Sequence, residues 1–222
     1  MKRILQTLVI GSLAALFLVA AAWAGGDKTT VTADAALKML EEGNKRFVAG
    51  QFDNAHKIAP RLQEVAKGQK PFAVIVGCSD SRVPPEVVFD QGLGDIFIIR
   101  LAGNVVDSMA LGSIEYAVDH FGAPLIVVLG HKRCGAVDAT LEAVEKKQKV
   151  PGNLPALVNA IKPAVVKTKG KHEEHLDAAI RLNAENVANK LEANPVLKKH
   201  KTVIIQGYYN LDTGAVNFWT KR

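Results

Sequence analysis

Cysteine is scarce in this chain: Cys78 and Cys134 are the only two among 222 residues. One disulfide at most is possible, and that is the default for an even pair in an oxidising compartment. Aromatic residues make up only 6% of the chain, so nothing suggests a platform for stacking bases. The formal charge is +6, but the basic residues are scattered apart from small clusters such as "KKQK" and "LKKHK". Such clusters are ordinarily solvated faces, and no nucleic-acid partner is expected. Beyond the N-terminus no run is long and apolar enough to span a bilayer. Internal repeats, low-complexity tracts and an interdomain linker are also missing. What is present suits one globular domain: 48% hydrophobic residues and an ordinary 23% charged.

The first residues have a layout of their own. "MKRILQTLVIGSLAALFLVAAAWAGG" joins a positive start, a long apolar middle and the small-residue ending "AWA", with no acidic residue. This is the pattern of a secretory signal peptide over residues 1–24, cleaved after Ala24 and leaving residues 25–222 as a single domain. An uncleaved N-terminal anchor is the competing reading. No cysteine stands near the cleavage point to carry a lipid. Export is expected, to a bacterial periplasm, with no membrane contact by the mature form.

Along the rest of the chain, buried-strand and helix signals alternate. Ala36, Leu37, Leu40 and Phe47 recur on one helical face, with Gly50 at a plausible stop. A second helical piece covers about 58–67. The runs 71–77, 95–100 and 123–130 are continuous, apolar and largely β-branched, as strands of a parallel sheet buried on both faces should be. Helices are predicted over 109–121, 134–147, 155–169 and 172–193. The chain closes on a strand, a turn at "LDTG" and another strand, a hairpin. The alternation predicts an α/β fold, a mainly parallel β-sheet flanked by helices with a C-terminal hairpin.

Ligands of parallel sheets bind beyond the carboxyl ends of the strands. Cys78 stands just past the first buried run, in "VIVGCSDSRVPP", and His131 and Cys134 just past the third, in "VVLGHKRCGA". Alternating spacing puts Cys78, Asp80 and Arg82 on one side of an extended segment. If the two strand ends are neighbours, all five residues face one point. Two thiolates and an imidazole suit Zn²⁺, which favours four ligands, so water or Asp80 would take the fourth position. Cys134 would also stand near a helix start, and the positive helix end and the metal both favour its thiolate. The competing Cys78–Cys134 disulfide leaves Asp80 and Arg82 without a task. "HEEH" (172–175) has histidines three apart, whereas a metalloprotease helix needs four; it reads as a solvated helix face. His56, His120 and His200 have no partner legible in the sequence.

"CSDSRVPP", "RLAGN", "GSIEYAVDHFG", "VVLGHKRCGA" and "GYYNLDTGAVNFW" together resemble the β-class carbonic anhydrases, from about Asp34 to Trp219. The resemblance implies one zinc ion per subunit on Cys78, His131 and Cys134, with an Asp80–Arg82 dyad. It implies reversible hydration of carbon dioxide to bicarbonate and a proton, by a homodimer or a dimer of dimers whose N-terminal helices embrace the partner. Gln69 resembles a substrate-contacting glutamine of plant-like members. Phe97, Ala102 and Tyr116 resemble the apolar pocket for carbon dioxide, which is often completed across the dimer interface, and the Gly135 N–H matches a substrate contact. Leu101 departs from the family's usual polar residue, which bears on the pocket wall or the interface.

Mechanistically, zinc would acidify a water, less strongly than the three-histidine site with its value of about 7, because two thiolates cancel the metal's charge. Asp80, kept ionised by Arg82, would orient that water. Released by Arg82, it would instead close the fourth position as pH falls. The rival readings are a carbon disulfide or carbonyl sulfide hydrolase on the same site, a zinc-holding protein without catalysis, and a disulfide-linked exported protein.

Overall fold

A computed structural model describes residues 28–53 and 58–220. The proposed signal peptide and His56 lie outside these. In chain order the elements are α1 (Ala33–Ala49), α2 (Ile58–Val65), β1 (Ala73–Gly77), α3 (Pro85–Val88), β2 (Ile96–Arg100), a 3₁₀ turn (Ala102–Asn104) and α4 (Ser108–Phe121). There follow β3 (Leu125–His131), α5 (Gly135–Glu145), α6 (Leu154–Lys167), α7 (His172–Glu192), α8 (Pro195–Lys199), β4 (Val203–Tyr209) and β5 (Val216–Trp219).

The sheet runs β2-β1-β3-β4-β5. The first four strands are parallel, and β5 returns antiparallel to β4 as the expected hairpin. Every residue of β1 and of β3 is buried, which is why both read as uninterrupted apolar runs. Alternate residues feed two cores. Val74, Val76, Ile126 and Val128 pack with Ile114 and Val118 of α4 and Ala184 and Leu191 of α7. Ala73, Ile75, Val127 and Leu129 pack with Leu40 of α1 and Phe89. This period of two lets one sheet serve both faces.

Helix α1 starts where the Thr32 hydroxyl accepts the Ala35 N–H (3.2 Å), and it ends on Gly50 in the left-handed region. It approaches the end of α3 closely because Gly43 has no side chain: a Cβ there would lie 1.8 Å from the Phe89 carbonyl oxygen. Beside it, buried Asn44 donates to the carbonyls of Val88 (3.0 Å) and Gly214 (2.9 Å) and accepts the Val216 N–H (2.8 Å). The β5 edge is thus tied down by a side chain from α1, whereas β2 at the other edge has no strand on its outer side among the described residues.

The sequence missed α3, α8 and the 3₁₀ turn. Each is five residues or shorter, too brief for a periodic signal, and both short helices begin on proline. No helix among the described residues is long and apolar enough to cross a membrane.

Candidate metal centre

Strands β1 and β3 are direct neighbours, with Val76 beside Val128. Their carboxyl ends therefore open side by side. Cys78 follows β1, His131 is the last residue of β3, and Cys134 is the N-cap of α5. One ligating atom from each lies within 4.8 Å of the others, and all three residues are buried. The two cysteines are free thiols, not a disulfide.

Hydrogen bonding shapes each donor. The Cys78 sulfur accepts the N–H groups of Gly103 (3.2 Å) and Asp80 (3.4 Å). The cysteine hydrogen bond pushes the Cys78 thiol down to about 4, because Cys134 donates to it, and the two backbone donors help. Cys134 moves up for the complementary reason, aided by burial. The N–H groups of Val137 and Ala136 do pull its pKa down, but between the two sulfurs alone Cys78 wins the charge. His131 places Nδ1 3.0 Å from the Lys132 carbonyl oxygen, which only accepts, so Nδ1 carries the proton. Its Nε2 lone pair is left buried, with no hydrogen-bond partner. A buried bare imidazole nitrogen facing two sulfurs fits a thiophilic divalent ion such as zinc.

Asp80 stands at the rim. Arg82 donates to it from its backbone N–H (3.0 Å) and Nε (2.9 Å) at Oδ1, and from Nη2 (2.7 Å) at Oδ2. These bonds hold the carboxyl well below the usual carboxylate range. Oδ2 is 3.8 Å from His131 Nε2. Asp80 faces the ligand group but does not belong to the group of three.

The other expected residues divide. Ala102 opens the 3₁₀ turn whose Gly103 caps Cys78. Gly135 is the first residue of α5, so its N–H has no place in the helical ladder. Phe97 and Tyr116 lie together, ring centroids 6.4 Å apart, with Tyr116 45% exposed on α4. Gln69 is exposed and precedes β1, so within one protomer it stands at the opposite end of the sheet from Cys78. Leu101 packs among the apolar residues that surround Cys78 and Cys134.

Two histidine readings change. His120 stacks on Tyr116 at 4.5 Å, and His200 Nε2 lies 2.9 Å from an Asp119 oxygen, so both have partners. His172 is solvent-exposed as expected. His175 is not: only 12% of its side chain is exposed, and its Nε2 meets the Val165 carbonyl (3.0 Å), joining α7 to α6.

The sequence reading passed over Arg100 and Asn183. Arg100 donates to the carbonyls of Cys78 (2.8 Å) and Asp80 (2.6 Å), fixing the extended segment that carries the dyad. A charge at the end of an apolar strand was the available signal. Asn183, buried on α7, donates to the Gly103 carbonyl (2.8 Å) and fixes the turn that caps Cys78. Gly103 itself is required, with φ +67° and Ile161 only 2.7 Å from where a Cβ would stand. Nothing local marks Asn183.

Fold and centre together define a class: an α/β protein with a Cys–His–Cys metal-type site at the carboxyl ends of adjacent parallel strands. The carbonic anhydrase family model matches residues 73–216. The chain belongs to that family, in its β class. It is 52% identical over 132 residues to carbonic anhydrase 2 of Mycobacterium tuberculosis, covering 60% of this chain and 64% of that protein. The chain therefore spans a little under two thirds of that relative. A carbonic anhydrase of Pseudomonas aeruginosa is 34% identical over 160 residues, covering 68% of this chain and 70% of the relative. Among solved structures, the Coccomyxa β-carbonic anhydrase in complex with acetazolamide superposes with a TM-score of 0.67 at 27% identity, covering 83% of this chain and 86% of that one.

Proposed function

We propose that this protein interconverts carbon dioxide and bicarbonate, using zinc held by Cys78, His131 and Cys134. The observation that carries the reading is the unpartnered, buried Nε2 of His131 set among two thiols, beside a carboxylate already gripped by an arginine. When bound, a divalent zinc ion supplies Lewis acidity that turns water into a nucleophile, moderated here by two thiolates.

The chain's own residues do the rest. Asp80 stays ionised because Arg82 neutralises it. Its Oδ2 faces the ligand group, and the free lone pair there accepts a hydrogen bond from water and orients it. Arg82 engages both oxygens of that carboxylate; released from it, Asp80 would be free to serve as a fourth ligand and close the site. Leu101 and Val105 give the centre an apolar wall that suits an uncharged substrate. Gly135 N–H, free of the helical ladder, would meet a substrate oxygen, and Ala102, Phe97 and Tyr116 would supply further apolar surface.

A homodimer, or a dimer of dimers, accords with the bare β2 edge and with Met109, 79% exposed on the adjacent α4. Gln69 would then serve a site only through a second subunit. The N-terminal pattern supports export, with one zinc ion per subunit acquired before the thiols oxidise.

Metal analysis alongside carbon dioxide hydration tests the reading. One zinc per chain and turnover that rises through the alkaline range are expected. Zinc-loaded protein that hydrolyses carbon disulfide or carbonyl sulfide and ignores carbon dioxide would overturn the substrate assignment. Mass spectrometry of the exported protein checks cleavage after Ala24, and sedimentation checks the assembly.

A further inference from the structure

Two of the metal-type ligands, His131 and Cys134, are separated by only Lys132 and Arg133. This short span is awkward backbone. Arg133 sits at φ +53°, the left-handed region that an ordinary side chain rarely adopts. Lys132 continues the β3–β4 pairing by donating its N–H to the Tyr209 carbonyl (2.9 Å). The span has to leave the sheet, reverse through Arg133 and still deliver the Cys134 sulfur to the same point as the His131 ring.

Both side chains of the span end on one carboxylate almost 80 positions away. Lys132 Nζ lies 2.6 Å from Asp212 Oδ2. Arg133 straddles the same group, Nη2 2.5 Å from Oδ1 and Nη1 3.2 Å from Oδ2. Asp212 belongs to the turn between β4 and β5, and the Asn210 side chain accepts its N–H (2.9 Å). The carboxylate is thus aimed from a rigid hairpin. The grip reaches the dyad as well: Arg82 Nη2, bound to Asp80, makes a longer contact with the Arg133 carbonyl (3.4 Å). Arg82 and Arg133 are like charges held near one another. Asp212 gives the second of them a partner, which leaves Arg82 to Asp80.

We propose that Asp212 is a positioning residue of the metal centre. It fixes the two-residue span between His131 and Cys134 and presents the carbonyl against which Arg82 rests. The inference rests on the reading that these ligands hold zinc. An isolated exposed ion pair contributes little to stability, and all three side chains here are roughly half exposed. A bidentate arginine shared with a lysine on one acceptor is a network, and its effect should appear locally, in how long the ligand pair stays set.

The test uses zinc-loaded, full-length protein challenged with excess chromogenic chelator. Asp212→Ala should release zinc about tenfold faster than the parent, the lower end of what supporting residues around metal ligands contribute. The melting temperature of the metal-free protein should move by less than about 3 °C. Asp212→Glu should recover part of the slow release. When Lys132 and Arg133 are both alanine, adding Asp212→Ala should change the release rate no further. Unaltered release from Asp212→Ala, or an equal acceleration in the double-alanine background, overturns the proposal. A parent that takes up no zinc overturns the metal reading and this inference with it. A parent that holds zinc beside an equally retentive Asp212→Ala overturns this inference alone.

Discussion

The two ends of the parallel strands follow opposite specifications. At the amino ends the chain enters through Pro71 and Phe72, through Asp95 and through Pro124, and apart from the Asp95 carboxylate, held by Arg61 and the Gly92 N–H, the contacts are backbone hydrogen bonds and apolar packing. At the carboxyl ends two thiols, an imidazole, two carboxylates and three arginines crowd together, and the backbone bends through Gly103, Asn104 and Arg133 at positive φ. One end is generic and tolerant. The other depends on residue type and on single hydrogen bonds, and the buried strands between them hold it rigid. The lesson is that stability and chemistry are divided along each strand, so substitutions should separate the two.

The sharpest break comes at the ligands. Cys134→Ser should abolish zinc binding and with it all measurable turnover while the circular dichroism of the fold persists; an active, zinc-bearing Cys134→Ser would remove the distinction. Next comes the dyad: Asp80→Asn should keep its zinc and lose turnover by about 10²–10³-fold. Near-normal activity in that variant would mean that Asp80 orients nothing. Within the strand body the pattern inverts. Ile126→Ala empties a fully buried position and should cost about 2–5 kcal/mol in urea unfolding, with zinc content unchanged. If it shed zinc as readily as the ligand variant, rigidity and chemistry would not be separable. At the far edge, Asn44→Ala removes three hydrogen bonds, two from α1 to the hairpin and one to the Val88 carbonyl of α3, and should cost about 1–3 kcal/mol, again leaving zinc in place.

The smallest effect is a dependence on pH. Asp80 has its folded pKa depressed by Arg82, so its contribution to stability is complete above the unfolded carboxylate value of about 3.9 and is lost as pH falls towards the lower folded value. The melting temperature of the parent should therefore fall more steeply below about pH 4 than that of Asp80→Asn. Parallel curves would show that the Arg82 bond contributes nothing to folding.

Much of this division was legible beforehand. The strand bodies announce themselves because burial on both faces demands unbroken Val, Ile and Leu. Cys78, His131 and Cys134 stand out because few residue types hold zinc, and the two motifs that carry them each follow a buried apolar run and a glycine. Asp80 and Arg82 followed from alternation along an extended segment, and the structure joins them as expected. What stayed hidden is long-range or short-lived. Asn183 and Asp212 act across 80 and 79 positions, and only the folded sheet brings them to their targets. α3 and α8 are too short to repeat. His175 looked solvated because its partner, the Val165 carbonyl, lies on another helix. The sharing of charge between the two sulfurs in the absence of metal was hidden as well, because it depends on a neighbouring thiol that only the fold supplies.

The Asn44 amide has a bearing on how the chain reaches this state. It joins the first described helix to a turn 170 positions later. During synthesis or refolding, α1 can pack on β1, β3 and the end of α3 before the closing hairpin has emerged, but the bonds from Asn44 to Gly214 and Val216 wait for it. These last ties on α1 therefore form late, on closure of a loop of 170 positions.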